Sequence, residues 1–199
     1  MNVDIMMYDG VDELDAIGPY EVFSNAAGAG TDLTVSLVGV DESSQVRASH
    51  GIELGPVTMF DPAPDRWLVV PGGSWGARGS TGAYAEAERG VIPDAIAAAA
   101  DCGTQLASVC TGGMLLATAG VLDGRPATTH HSATEELAAS GAEVIDARVV
   151  DDGNIVTAGG VTAGLDLAVY LLRRWFPAEI ASTVIGRMEY RPDVSVYRA

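Results

Sequence analysis

The segment Thr104 to Gly120, TQLASVCTGGMLLATAG, constrains the fold more than any other part of the chain. Leu106-Ala107-Ser108-Val109 is a compact apolar run that reads as a buried strand. Met114-Leu115-Leu116-Ala117 opens a helical pattern, and only Cys110, Thr111, Gly112 and Gly113 stand between the two. A strand that turns this sharply into a helix has the layout of a nucleophile elbow, which lifts the side chain at the turn clear of the sheet. The two glycines remove side chains that would crowd the turn. A thiol at Cys110 would meet the N–H groups that open the helix, and these favour its thiolate. A buried structural cysteine fits the same pattern, so spacing alone leaves both readings standing.

Apolar runs and helical patterns alternate on either side. Val3 to Met7, Leu33 to Val38 and Trp67 to Val70 read as further strands. Pro19 is expected in the first turn of a helix, so the first helix is placed from near Gly18 to Ala27, with Asp15 as a candidate cap. Other helices are predicted over Val91 to Ala100, from the elbow to Ala119, Thr162 to Phe176 and Ala178 to Ile185. Val46 to Ser49 and Ile52 to Val57 read as a small hairpin around His50-Gly51. Arg148 to Val150 and Asn154 to Thr157 form another around Asp151-Asp152-Gly153. Ser74 to Gly82 reads as a surface loop, and Ser132-Ala133-Thr134-Glu135 has capping-box spacing for a helix that Gly141 stops. The tail from Glu189 reads as irregular.

This alternation implies an α/β sandwich with a mostly parallel sheet, formed by one domain over residues 1–199. In such sheets ligands bind outside the carboxyl ends of the strands. The segments after Met7, Val70, Val109 and Thr157 are therefore expected to converge, and they carry Asp15, Gly72-Gly73, Cys110-Thr111 and Gly159-Gly160.

Charge narrows the partners. Asp and Glu number 27 against 11 Lys plus Arg, and the net charge is -16. Every basic residue is arginine. Such a field disfavours nucleic acid and anionic membranes as partners. The charge is spread along the chain and reads as a solvated surface, either a halophilic adaptation or the acidity of a mesophile protein from a GC-rich genome. Cys102 and Cys110 are the only cysteines, which fits a reducing cytoplasm, with Cys102 an inert small core residue at a helix end. No apolar stretch approaches the ~20 residues needed to span a bilayer, and the N-terminus lacks the basic region of a secretory signal. A metal is not expected: His130 and His131 are adjacent, His50 is the third histidine, and no Cys or carboxylate has ligand spacing with them. Without lysine there is no P-loop.

Several blocks then occur in a recognisable order. They are Leu14-Asp15-Ala16-Ile17-Gly18-Pro19-Tyr20-Glu21-Val22-Phe23, Pro71-Gly72-Gly73, Ser108-Val109-Cys110-Thr111-Gly112, Arg125-Pro126-Ala127-Thr128-Thr129-His130 and Gly153 to Asp166. Together they resemble the ThiJ/PfpI superfamily, the cysteine branch of the class I glutamine-amidotransferase-like fold, and within it the isocyanide (isonitrile) hydratases. The resemblance runs from Val3 to about Pro192. It implies a flavodoxin-like three-layer sandwich, commonly a homodimer, and an enzyme that acts on a small-molecule substrate and needs no cofactor. The same blocks occur in sensor domains of AraC-type regulators, which carry a DNA-binding region after this domain; ending at Ala199, this chain is not expected to be one.

The resemblance casts Cys110 as the nucleophile and Asp15, matching the hydratase aspartate, as general acid and base; capping a helix is the other reading of Asp15. Thr111 would bind substrate or water. Gly73 and Thr111 would offer backbone N–H groups to developing negative charge, and Gly159 and Val161 match pocket-lining positions. Turn and core roles remain open for Gly73, Gly159 and Val161. His130 separates mechanisms: paired with Cys110 it would make an amidase or peptidase-like hydrolase, and otherwise it is structural. A glyoxalase or deglycase-like enzyme, or a redox sensor acting through Cys110 oxidation, are further alternatives.

Overall fold

The computed structural model describes residues 1–41, 43, 45–192 and 195–199. The chain runs β1 (Asn2–Met6), α1 (Glu13–Gly28), β2 (Thr34–Gly39), β3 (Val46–Arg47), β4 (Glu53–Leu54), β5 (Thr58–Met59) and β6 (Arg66–Val70). It continues with α2 (Ala83–Arg89), α3 (Val91–Cys102), β7 (Gln105–Val109), α4 (Gly112–Thr118), β8 (Pro126–Ala127), α5 (Thr134–Ala139) and β9 (Glu143–Val144). The last elements are β10 (Val149–Asp152), β11 (Ile155–Ala158), α6 (Ala163–Trp175), α7 (Ala178–Arg187) and β12 (Val196–Arg198).

The central sheet has eight strands in the order β12-β10-β11-β7-β6-β1-β2-β5. Every pairing is parallel except the β10–β11 hairpin. Helices cover it, giving the flavodoxin-like sandwich. Ile5, Leu68, Val69, Ala107 and Val156 are fully buried, as near-continuous apolar strands in a parallel sheet require. In register, Val70 pairs with Ser108 and Ala158 with Val109, so the segments after β6, β7 and β11 leave the sheet side by side. No helix among the described residues is long and apolar enough to cross a membrane.

The structure corrects several expectations. Cys102 does end α3 but is exposed, not a core residue. Asp12, not Asp15, caps α1: its Oδ1 accepts the Leu14 N–H at 3.0 Å. The helix therefore begins at Glu13 and carries Pro19 in its interior. Pro19 cannot donate to the Asp15 carbonyl, a cost that packing offsets, since its ring lies against Gly164 of α6. The capping box does not form. The His130 ring instead accepts the Ser132 N–H, residues His131–Ala133 make a 3-10 turn, and α5 starts at Thr134 without a side-chain cap. The stretch read as a loop from Ser74 contains a 3-10 turn at Trp75–Ala77, and α2 follows it unforeseen, bounded by Gly82 and Gly90. The tail is not wholly irregular: β12 pairs with β10, while Asp193 and Val194 lie outside the described residues.

Candidate active site

Cys110 sits at the elbow with φ +56, a left-handed conformation that a non-glycine residue adopts at a cost. Its neighbours hold it there. The Cys110 N–H donates to Ala158 O at 3.1 Å and to Gly159 O at 2.7 Å, while its carbonyl accepts from Thr129 Oγ1 at 2.8 Å. Gly159 thus reaches the site as a backbone acceptor that pins the elbow.

Asp15 enters from the first turn of α1 and is fully buried. Its Oδ2 accepts the Gly72 N–H at 3.0 Å. Oδ1 makes no ordinary hydrogen bond, although the carboxyl interacts with the Cys110 thiol. Burial, and then the charge of Asp12, push the Asp15 carboxyl up to about 8, against the pull of the Gly72 amide and the thiol. Burial, and then the Asp15 charge, likewise push the Cys110 thiol up, while the Thr111 N–H favours its thiolate. Each group resists ionising beside the other. The pair avoids the doubly charged state and titrates as a unit.

The turn beneath the pair is tight. A β-carbon on Gly72 would lie 2.5 Å from both the nitrogen and the hydroxyl of Thr111, so only glycine lets β6 and the elbow approach. The Gly73 N–H donates to Thr111 Oγ1 at 3.0 Å, which commits that amide to the turn and leaves the threonine its own proton to donate. Val161 is half-buried between β11 and α6 and packs on the core.

One ring nitrogen of His130 is held by the turn that follows it. Its Nδ1 lies 2.8 Å from Ser132 Oγ and accepts the Ser132 N–H at 3.3 Å. Burial, and then the neighbouring His131, lower its pKa, whereas a thiolate partner would raise it. Tyr8, not foreseen as a site residue, is buried just past β1, and its hydroxyl donates to Pro71 O at 2.7 Å. The only sequence signal for it was its place at the carboxyl end of a strand.

The fold also assembles a set that linear spacing concealed. Ligand atoms of Asp12, Glu13 and His50 lie within 4.8 Å of one another, a spacing that groups of surface acids commonly show without any metal. Glu13 and His50 already satisfy each other, with Nδ1–Oε2 at 2.6 Å. Burial pushes Glu13 up, but hydrogen bonds from His50 and Ser49 outweigh it and bring Glu13 to about 2.

An elbow cysteine facing a buried carboxyl, at the strand ends of a flavodoxin-like sandwich, defines a class of cysteine-centred α/β proteins. The chain belongs to the DJ-1/PfpI family, whose model matches residues 1–174. It is 35% identical over 193 residues to isonitrile hydratase of Pseudomonas putida, covering 96% of this chain and 79% of that protein. It is 31% identical to a deglycase of Thermococcus kodakarensis, over 87% of this chain and all of that one. Among solved structures, a THiJ/PfpI family protein from Pseudomonas syringae superposes with TM-score 0.82 at 28% identity, covering 97% of this chain and 76% of the other.

Proposed function

We propose that this protein hydrates an isocyanide, R–N≡C, to the N-formamide, R–NH–CHO. The observation that carries the reading is the buried Asp15 carboxyl interacting with the Cys110 thiol at the elbow. The similarity to isonitrile hydratase supports it. The reactive form is the singly protonated pair, with the thiolate on Cys110 and the proton on Asp15. The thiolate forms a C–S bond to the terminal isocyanide carbon, and the Asp15 proton passes to that same carbon, giving a thioimidate. Water, oriented by Asp15 and Thr111, then adds to the carbon. One water proton goes to nitrogen, the C–S bond breaks, and the remaining proton returns to the pair as the formamide leaves.

A Cys–His hydrolase would use His130 as the base for the thiol, but its Nδ1 is engaged with Ser132 and its pKa is lowered by burial and then by His131, which does not favour an imidazolium–thiolate pair. The test is to incubate the protein with a simple alkyl isocyanide and follow formamide production. Product well above a Cys110→Ala control is expected, and none above it overturns the assignment.

A further inference from the structure

Tyr8 and Asp15 are joined through a single peptide group. The Tyr8 hydroxyl donates to the Pro71 carbonyl oxygen at 2.7 Å, and the Gly72 N–H donates to Asp15 Oδ2 at 3.0 Å. That carbonyl and that N–H are the two ends of one peptide bond, planar and conjugated. A donor on the oxygen draws electron density toward it and makes the N–H at the other end a stronger donor. We propose that Tyr8 is a positioning residue for Asp15, holding and polarising the Pro71–Gly72 peptide that fixes the carboxyl beside Cys110. This deepens the hydratase reading and rests on its assignment of Asp15 as the proton carrier.

The surroundings fit a dedicated hold. The next peptide is pinned as well: its carbonyl, on Gly72, accepts the Asp12 N–H at 2.8 Å, and its N–H, on Gly73, is bound to Thr111. Tyr8 thus fixes the first of two consecutive peptides in the turn. Burial, and then the charges of Asp15, Cys110, Glu86 and Asp12, keep the phenol protonated, so it acts as a donor throughout the working pH range. The titratable groups around the carboxyl are therefore Asp12 at the cap of α1, Cys110 at the elbow and Tyr8 after β1, with Glu86 of α2 acting on Tyr8 and His130 feeling the charge of Asp12. Of these, Tyr8 alone reaches Asp15 through the peptide that binds it. A stronger Gly72 donor favours the carboxylate, so Tyr8 loosens the proton that Asp15 must deliver.

The test uses the full chain carrying Cys110→Ser, so that Asp15 titrates without the coupled thiol. The Asp15 carboxyl carbon is followed by NMR across pH in three proteins: with Tyr8, with Tyr8→Phe, and with 3-fluorotyrosine placed at position 8. Fluorine makes the phenol more acidic and a stronger donor. Loss of the hydroxyl should move the Asp15 midpoint up, and fluorination should move it down. The same midpoint in all three overturns the proposal. Fluorotyrosine keeps both ring and hydroxyl, so it decides the question even if Tyr8→Phe does not fold. A failure of the hydratase reading shows separately, as absence of formamide from the parent protein.

Discussion

A β-carbon on Gly112 would stand 1.9 Å from the carbonyl oxygen of Val70, so the helix after the elbow begins in direct contact with the end of β6. Any side chain at that position must drive α4 and the strand apart. Gly112→Ala is expected to cost about 1–3 kcal/mol in a denaturant melt, as overpacking does. The displacement passes straight to Cys110, two residues earlier, so alkylation of the thiol should change too. An unaltered melt together with unaltered alkylation would show that the contact relaxes freely.

Asp15 sets the dependence of stability on pH. Burial in the fold pushes its carboxyl up to about 8 from 3.8, chiefly by desolvation. Between those values the folded state binds the extra proton, so Asp15's stabilising contribution is full below about pH 4 and is lost as pH rises through 8. Asp15→Asn should flatten that slope and leave the protein more stable at pH 8, on the order of 1–3 kcal/mol. The same variant should lose ~10²–10⁴ in isocyanide turnover, since it cannot carry the proton. Parallel stability curves for the two proteins between pH 4 and 8 would contradict this account.

His130 is expected to matter for folding more than for chemistry. Removing its ring in His130→Ala deprives the Ser132 N–H of its acceptor, at a cost of about 1 kcal/mol. Formamide production at saturating isocyanide should stay within a few-fold of the parent. A fall to the level of Cys110→Ala would instead place the imidazole in the reaction.

Salt should stabilise the protein. With a net charge of -16, unscreened carboxylates repel one another across the surface. The Debye length shortens from ~10 Å at 0.1 M salt to ~3 Å at 1 M, which relieves that repulsion. We expect Tm to rise into molar KCl, beyond what a neutral osmolyte of equal water activity produces. A flat or falling Tm would mean that the acidic surface is no adaptation to salt.

The parts legible in the sequence were those whose signal is local. The apolar runs of β1, β6 and β7 and the turn at Cys110 announce themselves through hydrophobicity and glycine spacing. Pro19 misled because a local rule places it at a helix start, while packing against α6 carries it in the middle of α1. That shift moves Asp15 from cap to first turn, where its carboxyl meets Gly72. Tyr8 was hidden for another reason: its partner lies 63 residues away, and no pattern along the chain records that distance. Asp12, Glu13 and His50 likewise meet only after the small hairpin folds back over α1.

The pairing of β12 with β10 has a bearing on handling the protein. Val196–Arg198 cover the outer edge of β10, whose backbone groups would otherwise face solvent as an open template for another strand. A chain shortened before Val196, or fused there to a tag that pulls the strand away, would bare the four-residue edge of β10, longer than the two-residue strand β5 at the other end of the sheet. Such a preparation should self-associate through strand addition and be lost to precipitation at high concentration while its elbow, built on the far side of β11, stays intact.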